Sequence, residues 1–199
     1  MKINNTHSNY VDYMNHQKIK TVDPKNRKIW MTDEWDMKIK WFTELFQQHS
    51  EIIKSCNSGL CVCARMGQEV VALQNLGMHC QGIDLVANEP YVIHGDMHNI
   101  PFPDSTFDFV FSNSFDHSLK PDIFVKEIER VLKPGGYCLL ILQPQVAGDE
   151  YAENDIDSSK EVSSLFKESS IVIDLPLTLS FHWVYNWKLI MNKTIKKST

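Results

Sequence analysis

Between Gly59 and Leu142, short apolar runs alternate with segments of helical spacing, and this alternation constrains the fold more than any other feature. Leu60 to Cys63, Cys80 to Leu85, Tyr91 to His94, Phe107 to Ser112 and Tyr137 to Leu142 read as strands. Gly67 to Leu76 reads as a helix closed by Gly77, and Asp122 to Leu132 as a helix with Phe124, Ile128 and Val131 on one face. Pro134 takes Lys133 out of helical geometry, and Gly135-Gly136 is expected to turn the chain. Strands that are apolar without interruption must be buried on both faces. With helices between them, they call for a parallel sheet with right-handed crossovers.

The pattern continues past residue 142. Gly148 to Ser159 is acidic and serine-rich and reads as a loop, followed by a short helix from Lys160 to Glu168. Ser170 to Leu175 is a sixth strand stopped by Pro176. Phe181 to Met191 is a seventh, with Trp183, Tyr185, Trp187, Leu189 and Met191 on one side. No helix fits between these two strands, so they should pair antiparallel at a sheet edge. At the other end, Met1 to Ile29 is polar and lysine-rich and reads as a flexible or loosely docked arm. Thr32 to His49 reads as a helix capped by Thr32 or Asp33, with Trp35, Ile39, Phe42 and Phe46 in one stripe broadened by Trp41 and Leu45. The expected architecture is α/β: one Rossmann-like, mostly parallel seven-stranded sheet with an antiparallel C-terminal strand pair and an N-terminal helical extension. Residues 1–50 form the arm and helix, and residues 51–199 the α/β domain.

Composition narrows the class. In 199 residues, 43% are hydrophobic and 23% charged, the balance of a globular domain. A net charge of -5 lacks the basic surplus that phosphate backbones demand, which disfavours a nucleic-acid partner. The apolar runs are too short to cross a bilayer, and polar Met1 to Tyr10 predicts no secretory signal. Five cysteines, an odd number, read as reduced thiols of a cytoplasmic protein.

In an open parallel sheet, ligands bind beyond the carboxyl ends of the strands, near the switch in strand order. The first such loop runs Cys61-Val62-Cys63-Ala64-Arg65-Met66-Gly67-Gln68-Glu69, with one glycine where a nucleotide fingerprint supplies several. Asp84 ends the second strand, where an acid either takes both ribose hydroxyls or caps a turn. Cys61 and Cys63 should face one way, and with Cys56, Cys80 and Cys138 scattered they read as buried thiols. His94 and His98 flank Asp96 as a conceivable zinc set, but the acid has a better use, so no metal is expected. Trp35, Trp41, Trp183 and Trp187 read as packing, with Trp41 also placed to lid the site.

The most informative stretch is Gly95-Asp96-Met97-His98-Asn99-Ile100-Pro101-Phe102-Pro103-Asp104-Ser105-Thr106-Phe107-Asp108, followed by Glu127-Ile128-Glu129-Arg130-Val131-Leu132-Lys133-Pro134-Gly135-Gly136. From Gly59 to Leu142 the chain resembles the class I S-adenosylmethionine-dependent methyltransferases of the type 11-like subgroup. The segments Ala64 to Val70 and Phe111 to Ser118 are similar to those of small plant methyltransferase-like proteins. The resemblance implies S-adenosylmethionine as cofactor and a small-molecule or protein acceptor. Cys61, Cys63, Ala64, Arg65 and Gly67 would lie along the methionine part, Asp84 on the ribose with Leu85 beside the adenine, and Asp96 on the adenine amine with the Met97 backbone alongside. Asn113 would lie below the transferred methyl.

The loop departs from the family where an acid and glycines are usual: Cys61, Cys63 and Arg65 stand there. Arg65 then either blocks the cofactor or turns outward to pair with its carboxylate. Asp116 and His117 follow the fourth strand beside the expected methyl position. They read either as the catalytic base and its partner or as caps of the helix near Pro121. The rival readings are a non-catalytic methyltransferase-like protein that binds a partner, and a nicotinamide-dependent oxidoreductase. The latter would use Asp84 but not Asp96 or the terminal strand pair. As a strand-tip side chain outside the core, Asp84 is expected to matter for ligand binding and little for stability.

Overall fold

The computed structural model describes residues 1–4, 7–146, 149–179 and 186–195. In chain order the elements are β1 (Lys2–Ile3), α1 (Tyr10–Val22), α2 (Pro24–Met31), α3 (Trp35–Gln47), α4 (Ser50–Ser55), β2 (Ser58–Val62), α5 (Gln68–Asn75), β3 (His79–Asp84), β4 (Val92–His94) and β5 (Phe107–Ser112). A 3-10 turn at Phe115–His117 leads to α6 (Pro121–Val131), β6 (Leu132–Leu142), β7 (Asn154–Asp155), α7 (Ser159–Ser163), β8 (Ser169–Pro176) and β9 (Trp187–Lys193). The main sheet has seven strands in the order β4-β3-β2-β5-β6-β9-β8. Neighbours from β4 to β6 run parallel, and β9 is antiparallel to both β6 and β8. The strand order reverses between β2 and β5, which places the ligand crevice at their carboxyl ends.

The period-two alternation of the strands divides the core into two layers. Leu60, Val62, Val110, Leu140 and Leu189 face α6 and α7, where Phe124, Val125, Ile128 and Val162 meet them. Cys61, Phe109, Phe111, Leu139 and Ile190 face α3 and α5, against Phe42, Phe46, Val70 and Leu73. Phe46 meets Phe111 edge to face, with centroids 5.1 Å apart. Gly82 is required where α5 and its loop close on β3, because a Cβ there would lie 2.8 Å from Ala64 Cβ.

Several expectations change. The arm is not loosely docked. It forms α1, with Asn9 as side-chain cap, and α2, with Asp23 as cap and Pro24 in its first turn. β1 pairs antiparallel with β7, the strand inside the expected 148–159 loop. Thr32 does not cap the next helix: its Oγ1 bonds back to Lys28 O at 2.8 Å, and α3 starts at Trp35 without a side-chain cap. In α3, Trp41, Phe42, Leu45 and Phe46 are buried, while Trp35 and Ile39 are half-buried. The Lys133–Gly136 segment is a bulge inside a longer β6 rather than a turn before it: Leu132 pairs with Phe107, and pairing resumes at Tyr137 with Phe109. The helix expected over 160–168 shortens to Ser159–Ser163. β9 begins at Trp187, and the expected contributions of Trp183 and Tyr185 lie outside the described residues.

Candidate functional site

The loop leaving β2 takes left-handed backbone at two positions that are not glycine. Cys63 has φ 61°, Arg65 φ 47° and Gly67 φ 92°. A side chain in the left-handed region costs roughly 1–2 kcal/mol, so Cys63 and Arg65 are held there by their surroundings. The holding contact is Asp84 at the end of β3: its Oδ2 accepts the Arg65 backbone N–H at 3.0 Å, and its Oδ1 accepts that of Val86 at 3.0 Å. Burial pushes the Asp84 carboxyl above its ordinary value, against the pull of the Val86 and Arg65 N–H groups and the Arg65 charge. At Gly67 a side chain is excluded twice, by the positive φ and by Tyr91 Cβ, 2.6 Å from where a Cβ would stand.

Cys63 lies beyond the end of β2, and its left-handed turn sends it to the opposite face from Cys61. It packs with the α6-side core, while Cys61 Sγ meets Cys80 Sγ at 3.6 Å on the other side. The expected common face is therefore lost. All five cysteines are free, and burial pushes the Cys63 thiol well above its ordinary value.

Asp96 follows β4. Its Oδ1 accepts the His98 N–H at 2.8 Å, and its Oδ2 accepts the Tyr10 hydroxyl of α1 at 2.6 Å. Burial acts to raise its pKa, but the bonds from His98 and Tyr10 bring it below the ordinary carboxylate range. His98 is fully engaged: Nδ1 lies 2.8 Å from the Tyr10 hydroxyl, and Nε2 meets Ser118 Oγ at 2.8 Å and the Lys120 N–H at 3.2 Å. His94 is exposed, so the set of His94, Asp96 and His98 does not assemble as a metal site.

After β5, Asp116 and His117 sit in the 3-10 turn and do not cap α6, whose N-cap Lys120 makes no side-chain cap bond. His117 Nδ1 lies 2.9 Å from the Tyr151 carbonyl. A carbonyl only accepts, so that nitrogen carries the proton. Nε2 lies 3.9 Å from Asp116 Oδ2, which also accepts the Gln143 amide at 2.6 Å. Burial raises the Asp116 pKa, partly offset by His117.

Cys63, Arg65, Asp84, Leu85, Gly95, Asp96, Met97, Ser114 and His117 line one pocket, whose remaining wall is Tyr13, Gln17, Lys20 and Thr21 of α1. The room it leaves for the centre of a water-sized sphere is about 50 Å³, and its whole empty space, open solvent included, is about 560 Å³. Ala64, Gly67, Asn113 and Asp116 stand behind or beside these walls. Ala64 is fully buried, and Asn113 Oδ1 accepts from Ser114 Oγ at 3.3 Å while Ser114 itself faces the pocket. Trp41 is buried in the core and does not line the pocket; Trp30 of α2 is also buried, and its carbonyl accepts from Gln68 Nε2 at 2.9 Å. The α1 wall escaped the sequence reading, although Tyr10, Tyr13, Gln17 and Thr21 fall at helical spacing behind an asparagine cap.

Residues 59–140 match the family model described as a methyltransferase domain. A demethylmenaquinone methyltransferase of a Geobacillus strain is 48% identical over 61 residues, 29% of this chain and 26% of the relative. That of Lysinibacillus sphaericus is 28% identical over 153 residues, 67% of this chain and 64% of the relative. Each match thus spans less than two thirds of the relative's length. Among solved structures, the Burkholderia thailandensis 1,6-didemethyltoxoflavin-N1-methyltransferase, with bound 1,6-didemethyltoxoflavin and S-adenosylhomocysteine, has a TM-score of 0.71. It is 11% identical, and the match covers 94% of this chain and 89% of that one. A Pyrococcus horikoshii protein has a TM-score of 0.64 at 18% identity, over 82% of this chain and 92% of that one. Residues 59–140 thus match the methyltransferase-domain family, and the strand order, with its antiparallel β9, agrees with the Rossmann-like fold of the S-adenosylmethionine-dependent methyltransferases it resembles.

Proposed function

We propose that this protein transfers a methyl group from S-adenosylmethionine to a small-molecule acceptor in the pocket under α1. The observation that carries the reading is the β2 loop: its backbone is left-handed at Cys63 and Arg65 without glycine there, and Asp84 bonds it in place. Strain of this kind persists where a site needs the shape.

The pocket walls suit the cofactor in kind. Each Asp84 oxygen holds one N–H and keeps a lone pair for a ribose hydroxyl. Asp96 offers an acceptor for an exocyclic amine, and Leu85 and Met97 offer apolar sides for a base. The Arg65 guanidinium at the rim suits a carboxylate. When bound, S-adenosylmethionine supplies a methyl group already activated by its sulfonium. The protein's part is to align the acceptor, exclude water under α1 and receive a proton. His117 does the last: the Tyr151 carbonyl holds Nδ1–H, which leaves the Nε2 lone pair as acceptor, with the Asp116 carboxylate beside it. The names of the similar proteins, with demethylmenaquinone and 1,6-didemethyltoxoflavin among them, support a small molecule as acceptor.

The test is calorimetry and thermal shift with S-adenosylhomocysteine, and with NAD(H) as control. Heat and a raised Tm with S-adenosylhomocysteine alone are expected. No heat up to millimolar ligand would leave the non-catalytic reading.

A further inference from the structure

We infer that His7, His16 and Glu153 form a site for one divalent cation of the zinc class, which fastens the N-terminal arm to the segment after β6. One ligand atom from each of the three side chains lies within 4.8 Å of the other two. Two imidazoles and one carboxylate are the donor set of three-ligand zinc sites, which leave a further position to solvent.

Two observations point to an ion rather than to a plain ion pair. His7 Nε2 meets Glu153 Oε1 at 2.6 Å, which accounts for one oxygen. Glu153 Oε2 is buried with no hydrogen-bond partner, although the Glu153 side chain is only 2% exposed. His16 Nδ1 is likewise buried and unpartnered. An unmet carboxylate oxygen and an unmet ring nitrogen in one cluster are costly unless a cation joins them. Contraction of the donors to the ~3.3 Å edge of a tetrahedral zinc site needs only side-chain adjustment.

Backbone hydrogen bonds hold Glu153 in place. Asn4 N bonds Glu153 O at 2.7 Å beside the β1–β7 pair, and Glu153 N bonds Asp116 O at 2.7 Å. Gln17 Nε2 donates to Glu153 Oε1 at 3.1 Å, the outer bond that orients a ligating carboxylate. The His16 ring stacks on Tyr151 at 4.9 Å. Gln17 Nε2 also bonds the Tyr151 carbonyl, which holds His117 Nδ1, so the cluster adjoins the pocket through that carbonyl without sharing its walls.

The test uses chelator-treated full-length chain titrated with Zn2+ alone, and with Co2+ as a spectroscopic probe. One equivalent should bind at micromolar Kd or tighter and raise Tm, and Co2+ should give ligand-field bands without thiolate charge transfer. His16→Ala, at a half-buried position, should weaken binding at least thirtyfold with the circular dichroism unchanged. Glu153→Gln should do the same where it folds. No tight equivalent, an unchanged Kd in His16→Ala, or thiolate bands that assign the metal to cysteines would overturn the site.

Discussion

The guanidinium of Arg65 lies over the face of Trp30, with 4.4 Å between Cζ and the ring centroid. The loop alone gave two readings of Arg65, blocking the cofactor or turning outward to its carboxylate, and neither included this stacking partner. Arg65 stacks on an aromatic of α2 and still lines the pocket. The stacked pair joins the loop after β2 to the N-terminal arm, a contact worth about 0.5–2 kcal/mol.

Arg65→Gly removes that contact and also relieves a left-handed side chain, two effects of similar size and opposite sign. Tm should change little, while S-adenosylhomocysteine and S-adenosylmethionine both bind several-fold more weakly, because both lose a carboxylate partner. Calorimetry decides, and tighter binding of either ligand would mean that Arg65 obstructs the pocket.

Asp84→Ala should cost both binding and stability. The sequence suggested a side chain that matters only to ligand, but the carboxylate holds two backbone N–H groups across the loop. Losing them should destabilise the fold by about 2 kcal/mol or more. It should also weaken S-adenosylhomocysteine binding at least tenfold. A urea midpoint equal to that of the parent would show that the loop holds its shape unaided.

Tyr10→Phe tests whether α1 gates the pocket. The Tyr10 hydroxyl tethers α1 to Asp96 and His98; burial and the bond to Asp96 push its pKa up, so it stays a donor. Without the tether the roof opens more readily, and the association rate of S-adenosylhomocysteine in stopped flow should rise several-fold. An unchanged rate would place the entry route elsewhere.

Glu69→Gln tests a buried charge behind the loop. Burial raises the Glu69 carboxyl from 4.5 to about 7, only partly offset by its own N–H, Lys38 and Arg65. Above the folded value both states are ionised, and the fold bears the full cost of the buried charge. Between the two values the folded protein keeps a proton that the unfolded chain releases, so the cost fades as pH falls and is gone below 4.5. The glutamine variant should therefore be more stable by about 2–3 kcal/mol at about pH 8, with the gain vanishing near pH 4.5. Urea melts at the two pH values measure this, and a variant less stable at the higher pH would show that Lys38 and Arg65 need the charge.

The sequence by itself determined the sheet. Buried strands such as Leu60 to Val62 and Phe109 to Phe111 must be apolar along their whole length, and Gly77 and Pro134 mark where helices end. These are local signals, and they placed β2 to β5, β8 and the two acids at strand ends within a residue or two, and gave the antiparallel β8–β9 pairing, while β6 starts five residues before the expected Tyr137. Only the tertiary structure decided the roof of the pocket, the place of Arg65 and the joining of His7, His16 and Glu153. The arm is polar because one side of it meets carboxylates, carbonyls and solvent, so it carries little apolar period. Its helices are held by contacts to residues up to 153, such as Tyr13 to His117 and Gln17 to Glu153, which no local window contains. The left-handed loop was hidden for the same reason: without glycine to announce it, the conformation is imposed by Asp84 from the neighbouring strand.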